Sequence, residues 1–216
     1  MNFLSHYFFH QQDSYHFNFG LVLPDLVRHF SKSHLSLLTE YNHPQKNEIK
    51  NGSHYHFQGD KLFHQSDFFN EMTLVLKEKL DEKAQWPRKW FLNHLLIEMT
   101  LDRALMEEYP DLCHQFYSDL SKVEDDLIHS FLIDSGVTNT SDFIEKHKRF
   151  VNFPFIFDYL HNEKLIYALG MVYKRVGIHY EWQSQDHDLL QNALPEIIEI
   201  AKSSIHVVKK NVSITS

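Results

Sequence analysis

The sequence contains a single cysteine, Cys113, among its 216 residues. One thiol cannot form an intramolecular disulfide, which excludes the class of small secreted domains that disulfides hold together. The first residues, MNFLSHYFFH, lack the basic start of a secretory signal, and two histidines interrupt their apolar character. We therefore expect a protein of the reducing cytoplasm.

Glycine and proline are also scarce, with six of each. Few tight turns are possible with so few of these residues, which favours long helices over a many-stranded β architecture. The scattered glycines cannot form a glycine-rich phosphate-binding loop. No apolar run approaches the roughly 18 residues that a membrane helix needs, so we expect no membrane partner.

Basic residues are fewer than acidic ones. The chain has 21 lysines and arginines against 29 aspartates and glutamates, which gives a formal net charge of −8. This balance argues against nucleic acid and against an anionic membrane as the partner. Hydrophobic residues make up 43% and charged residues 23%, as in an ordinary soluble globular protein. The 18 Phe and ten Tyr can fill a large aromatic core.

Apolar spacing and the positions of proline and glycine predict one all-α domain over residues 1–216, with seven to nine helices. Pro24 is expected to kink or restart the helix of residues 15–30, and Pro195 to kink the last helix. Residues 31–47 are predicted to be a connection and residues 151–161 irregular. The remaining helices are predicted at 2–10, 48–83, 88–108, 111–134, 141–150, 163–176 and 186–210.

Two polar stripes lie on predicted helices. His56, Asp60 and His64 recur every fourth residue, and so do the three residues His94, Glu98 and Asp102. Residues four apart share one face of a helix. The residues between the members of the second stripe are almost wholly apolar, so this stripe cannot simply face water.

Buried charged groups must be paired, and metal coordination satisfies several carboxylates and imidazoles at once. Mixed nitrogen and oxygen ligands suit Mn, Fe or Zn better than Ca. His6 and Asp25 lie inside apolar segments and are predicted to join the stripes as further ligands. The alternative is coincidence in a chain with 17 histidines. The stripes would then be surface pairs, and His6 and Asp25 core or capping residues.

Three short motifs resemble the acyl-carrier-protein phosphodiesterase family, also called acyl-carrier-protein hydrolases. The chain starts with MNFLSH, continues with GLVLPDLV at 20–27 and has GSHYHFQGD at 52–60. Family members typically begin with MNFLAH, continue with a GNLLADFV-like segment and then have GIHMHRRID. Glu98 and Asp102, in IEMTLDRAL, fall where a later family helix carries paired acids. The resemblance covers roughly residues 1–110.

The resemblance implies an all-α fold related to the HD-domain phosphohydrolases and a divalent metal, commonly Mn. It further implies hydrolysis of the phosphodiester that joins 4′-phosphopantetheine to a serine of holo-acyl carrier protein, which gives the apo form. By position it assigns the metal and catalytic set to His6, Asp25, His56, Asp60 and Asp102. Together with the stripes, the predicted metal ligands are His6, Asp25, His56, Asp60, His64, His94 and Asp102, and the predicted catalytic carboxylates are Asp25, Glu98 and Asp102.

The chain departs from the family pattern in places. The family's HRRID becomes HFQGD at 56–60, which removes two arginines able to hold phosphate, and a family Thr-Asp pair becomes Phe63-His64. The family's first paired acid is an aspartate, and this chain has Glu98 in its place. Two alternatives therefore stay open, namely a metal-dependent phosphohydrolase for another phosphoester, such as a nucleotide, and a non-catalytic helical metal-binding protein.

An acidic carrier protein would need a basic face on this chain. Two groups of basic residues are candidates, although an ordinary solvated helix surface is the alternative for each. The two groups are Lys77, Lys79, Lys83, Arg88 and Lys89, and Lys146, Lys148 and Arg149.

Nucleophilic catalysis has little support, because nothing in the sequence marks Cys113 as an activated thiol.

Overall fold

Residues 1–81 and 84–214 are described by a computed structural model, and every regular element in these ranges is helical, as predicted. No helix in this part of the chain is long and apolar enough to cross a membrane. A π-helical turn spans Lys77–Asp81 and a 3-10 helix spans Phe155–Leu160. The α-helices are α1 (Phe3–His10), α2 (Tyr15–Gly20), α3 (Leu23–Ser31), α4 (Pro44–His64), α5 (Asp67–Leu76), α6 (Lys89–Glu108), α7 (Leu112–Ser121), α8 (Asp125–Asp134), α9 (Thr140–Asn152), α10 (Asn162–Arg175) and α11 (Ser184–Asn211).

The described ranges contain eleven α-helices rather than seven to nine, because the helix predicted at 15–30 is divided at residues 21–22 and two further predicted helices are interrupted. The helix predicted at 48–83 ends at His64, and α5 then starts anew. The Ser66 hydroxyl accepts a hydrogen bond from the Phe69 amide (3.2 Å) and caps α5. The helix predicted at 111–134 is two helices, α7 and α8, with Glu124 at the start of α8. Apolar spacing continues across both breaks and therefore hides them.

Other boundaries agree with the sequence. Helix α6 matches the helix predicted at 88–108 and ends before Pro110. Pro24 lies in the first turn of α3, where its missing amide hydrogen costs no helical bond. Helix α11 runs on through Pro195. Lys83, one of the basic residues considered for docking, lies outside the described residues.

The described residues group into two compact helical units. Unit 1 comprises Met1–Ser5, Leu62–Pro110 and Ile156–Val212. In unit 1, α6 packs along α11, with α5 and α10 against this pair. Fully buried apolar side chains of α6 and α11 form its core, including Leu96, Leu101, Leu105, Ile197 and Ala201.

Unit 2 comprises His6–Lys61 and Asp111–Phe155, with Ser213 and Ile214. In this unit α3 packs against α9, and the Phe30 ring meets Phe143 and Phe150 at centroid distances of 5.5 and 6.0 Å. Helix α2 packs on α7. A single domain over 1–216 and its likeness to HD domains stay predictions.

Two glycines bring the start of the chain close to α4 within unit 2. A Cβ on Gly52 would lie 2.1 Å from the Phe17 carbonyl oxygen, and one on Gly20 would lie 2.2 Å from the Ile49 carbonyl oxygen. The Ser53 hydroxyl donates a hydrogen bond to the Gly20 carbonyl (3.1 Å) across this crossing. Only hydrogen fits at these two positions, so the crossing sets the distance between α2, α3 and the middle of α4.

Candidate metal centres

His6, Asp25 and His56, which we call the first triad, come from α1, α3 and α4 of unit 2. Their ligand atoms all lie within 4.8 Å of one another. The His56 Nε2 is 3.8 Å from the Asp25 Oδ1, and the rings of His6 and His56 stack at 3.8 Å between centroids. Both imidazoles are buried, whereas 31% of the Asp25 side chain is exposed. In the first triad, the two imidazoles are therefore buried and the carboxylate is accessible to solvent.

The orientation of His56 is determined by a backbone carbonyl. The His56 Nδ1 donates a hydrogen bond to the Leu21 carbonyl oxygen (2.8 Å), and a carbonyl can only accept. A proton is therefore on Nδ1, so in the neutral ring Nε2 carries the lone pair and directs it to a metal on the side of Asp25. The glycine crossing makes this bond possible, because it brings the segment after Gly20 against α4.

Asp60 extends the first triad from the next turn of α4. Its Oδ1 lies 3.9 Å from the His6 Nε2, and 38% of its side chain is exposed. The structure therefore brings together three of the predicted ligands, His6, Asp25 and His56, and places a fourth, Asp60, beside His6. Two imidazoles and two carboxylates form a mixed donor set of the kind that binds Mn, Fe or Zn.

Sequence reasoning missed His10, which lies one turn after His6 on α1. His10 is buried, and its Nε2 has no hydrogen-bond partner among the described residues. Burial, together with repulsion from His56 when that ring is protonated, lowers the pKa of His10 to about 4. Its i, i+4 spacing from His6 is the signal that singled out the two stripes, and it would have found His10 as well.

His64, His94 and Glu98 form a second triad within unit 1, between the end of α4 and the first half of α6. The two Nε2 atoms face each other at 3.2 Å. The Glu98 Oε1 lies 3.1 Å from the His94 Nε2 and 3.5 Å from the His64 Nε2. The Phe69 ring stands edge-on to both imidazoles, at centroid distances of 4.9 and 5.3 Å.

Glu98 is ionised in this setting. Burial alone would raise the pKa of Glu98, but the charge of the Met1 amino group, 2.8 Å from its Oε1, acts against burial. Hydrogen bonds from His64 and His94 add to this effect, and the pKa of Glu98 falls well below its ordinary value. The second triad therefore offers a carboxylate anion beside two imidazole nitrogens.

Asp102 joins neither triad in the described residues and instead holds the start of α1. Its carboxylate accepts hydrogen bonds from the amides of Leu4 (3.2 Å) and Ser5 (2.8 Å) and from the Ser5 hydroxyl (2.5 Å). Asp102 is completely buried, and burial raises its pKa to about 7 against the lowering effect of these bonds. This buried carboxylate takes the place of an N-terminal cap for α1.

The structure thus distributes the members of each stripe between different surroundings. His56 and Asp60 belong with the first triad, and His64 belongs to the second. From the other stripe, His94 and Glu98 lie in the second triad, and Asp102 binds the first turn of α1. The donor residue types were predictable from spacing, whereas this distribution was not.

Several basic side chains considered for carrier docking are engaged in ion pairs. Lys79 pairs with Glu196 (2.6 Å), Lys146 with Asp142 (2.7 Å) and Lys148 with Asp125. Arg88 and Arg149 are exposed. The basic groups are therefore partly neutralised by neighbouring acids.

A scan against protein-family models matches none, and searches of curated proteins and of solved structures find no significant match. Inference about function accordingly rests on the chemistry of the two triads and on the short motifs.

Proposed function

We propose that this protein is a metal-dependent phosphodiesterase that removes 4′-phosphopantetheine from holo-acyl carrier protein. One observation carries the proposal. The three motifs that resemble the carrier-protein phosphodiesterase family supply His6, Asp25 and His56, which converge as the first triad, and Asp60, which lies beside His6. Residues far apart in the chain that meet in this way are better explained by a shared site than by chance.

The donor set of this site fits a divalent metal. Its imidazoles are buried, and the hydrogen bond from His56 Nδ1 leaves Nε2 as the nitrogen that faces Asp25. Its carboxylates are partly exposed, so that water and a phosphoryl group can reach them. When bound, a divalent metal lowers the pKa of a coordinated water and neutralises charge on phosphoryl oxygens. Mn is the metal that the resemblance favours, with Fe and Zn as alternatives.

In the proposed reaction a water oxygen attacks phosphorus, and the bond between phosphorus and the carrier serine oxygen breaks. Asp25 accepts the proton of the attacking water, as a carboxylate at the accessible edge of the site can do. The serine oxygen takes a proton from solvent water and leaves as a hydroxyl, and Asp25 returns its proton to solvent, so the products are apo-carrier protein and free 4′-phosphopantetheine. The hydrogen bond from His56 to the Leu21 carbonyl keeps its ring in place.

A second candidate function is supported by the departures from the family motif. Phe57 and Gln58, where the family has two arginines, are both exposed on α4 and provide no cation for a phosphate. A phosphohydrolase for another phosphoester, such as a nucleotide, would use the same first triad without those arginines. A non-catalytic metal-binding protein would keep the metal and hydrolyse neither substrate.

The test is to incubate the purified chain and Mn²⁺ with holo-acyl carrier protein and to follow the carrier by intact-mass spectrometry. We expect wild type to convert the holo to the apo form, and Asp25→Asn and Asp60→Asn to lose at least about 100-fold in rate. Asp13→Asn is the matched control, because Asp13 is an exposed aspartate in the loop between α1 and α2. It should retain the wild-type rate.

Parallel reactions with bis-p-nitrophenyl phosphate and with nucleotides separate the alternatives. Hydrolysis of these compounds, lost in Asp60→Asn, with no change in the carrier protein, would favour the second candidate. Bound Mn²⁺ without hydrolysis of any substrate would favour the non-catalytic alternative. Equal carrier turnover in Asp60→Asn and wild type would contradict the assignment of the site.

A further inference from the structure

The second triad has interatomic distances that match a tetrahedral metal site. Tetrahedral ligands at the Zn–N and Zn–O bond lengths of about 2.0–2.1 Å lie about 3.3 Å from one another. The three distances among His64 Nε2, His94 Nε2 and Glu98 Oε1 are 3.2, 3.1 and 3.5 Å. The ligand atoms are therefore already spaced as three corners of a tetrahedron around one small cation.

The surroundings of these atoms also suit a cation. Glu98 provides the carboxylate oxygen Oε1, which also accepts a hydrogen bond from the Met1 amino group (2.8 Å). The Nε2 atoms of His64 and His94 face each other and the same Glu98 oxygen, so neutral rings that carry their proton on Nδ1 direct two lone pairs into the triad. The side chains of His64 and His94 are 28% and 32% exposed, which leaves an entry path and a fourth position for water.

We propose that His64, His94 and Glu98 form a second metal site that binds Zn²⁺ with tetrahedral geometry, separate from the first triad. The ligands come from the last residues of α4, which belong to unit 1, and from two successive turns of α6, so a bound ion joins residues 62–64 to α6 within unit 1. Two imidazoles and one carboxylate are a ligand set that Zn²⁺ takes in proteins. The Phe69 ring flanks both imidazoles and limits their rotation. The inference stands on the second triad alone and does not depend on the proposed function.

The test measures Zn²⁺ binding by the full chain after dialysis against a chelator, using titration calorimetry and metal analysis. We expect His64→Asn and His94→Gln each to lose about one Zn²⁺ per chain and to abolish the rise in melting temperature that Zn²⁺ causes in wild type. His54→Asn is the matched control, because His54 lies on the same helix and is exposed. It should bind Zn²⁺ as wild type does.

Co²⁺ distinguishes the two sites by geometry, since a tetrahedral Co²⁺ complex absorbs visible light far more strongly than an octahedral one. We expect an intense Co²⁺ spectrum in wild type and in His56→Asn, and its loss in His64→Asn. Circular dichroism checks that each variant is folded. Because two different ligand variants are used, the test still works if one of them does not fold. Full Zn²⁺ content and an unchanged Co²⁺ spectrum in both His64→Asn and His94→Gln would overturn the proposal. Loss of the same ion in His56→Asn would overturn it as well.

Discussion

Asp102 shows which protein groups can satisfy a buried carboxylate within a polar stripe. It occupies an i, i+4 stripe within an apolar helix, and a metal is one way to satisfy such a group. In the structure its partners are instead the two amides and the hydroxyl at the start of α1. Backbone amides leave no trace in sequence patterns, because every residue except proline has one.

The raised pKa of Asp102 predicts a specific pH dependence of stability. The folded state holds this proton up to a pH of about 7, whereas the unfolded chain releases it near 3.8. Ionisation therefore costs folding free energy, and the cost grows as the pH rises from about 4 to about 7. We expect the free energy of unfolding of wild type, relative to Asp102→Asn, to fall by a few kcal/mol over that interval.

Urea unfolding of both proteins at several pH values between about 4 and 8 measures this difference. A relative stability that stays constant or rises with pH would contradict the prediction. Metal analysis of Asp102→Asn provides an independent check on its role. Unchanged Mn²⁺ and Zn²⁺ content fits a carboxylate that holds α1, whereas loss of either ion would return Asp102 to the ligand set.

At the scale of elements, the crossing of Gly20 and Gly52 does most to shape the first triad. It allows backbone atoms of the segment after α2 to touch α4, and the Leu21 carbonyl then orients His56. Both glycines belong to the short motifs that resemble the carrier-protein phosphodiesterases. Within a helical pattern Gly52 counts only against helix formation, yet its lack of a side chain is what this contact requires.

Gly52→Ala should therefore be strongly destabilising. Its new Cβ would lie 2.1 Å from the Phe17 carbonyl oxygen and 2.9 Å from the Leu21 amide nitrogen, both of which are backbone atoms. We expect a loss of roughly 3 kcal/mol or more in the free energy of unfolding, measured by urea titration. Where the variant folds, it should lose Mn²⁺ bound at the first triad and keep Zn²⁺ bound at the second.

Gly170→Ala is the matched control for this substitution. Gly170 lies within α10, and its nearest non-local atom is the Nε1 of the Trp182 side chain at 3.2 Å, which can shift. Alanine also favours the helix, so the stability should stay within about 1 kcal/mol of wild type. Similar behaviour of the two variants would contradict the role given to the glycine crossing.

At the scale of the whole molecule, charge bears on the proposed partner. The formal net charge is −8, and Lys79, Lys146 and Lys148 are paired with acidic side chains. Long-range electrostatics therefore oppose the approach of an acidic carrier protein at low ionic strength. Added salt shortens the Debye length from about 30 Å at 0.01 M to about 8 Å at 0.15 M and screens this repulsion.

We therefore expect kcat/KM for holo-acyl carrier protein to rise severalfold between these two ionic strengths. Bis-p-nitrophenyl phosphate is the control substrate, because its single charge makes the long-range repulsion much weaker, and its kcat/KM should change little. A fall in kcat/KM for the carrier protein with added salt would show instead that a basic face governs the encounter. Arg88→Gln and Arg149→Gln would then identify which exposed arginine contributes to that face.

The sequence by itself determined that the chain is helical, where α6 lies and which residue types offer metal ligands, because these properties follow from composition and from spacing along one helix. It could not locate the breaks at Ser66 and Glu124, since apolar spacing continues across both. Only the tertiary structure decided that His56 and His64, on one stripe, belong to different triads. Helical periodicity specifies which residues share a face, whereas the residues that meet that face depend on where other helices cross it.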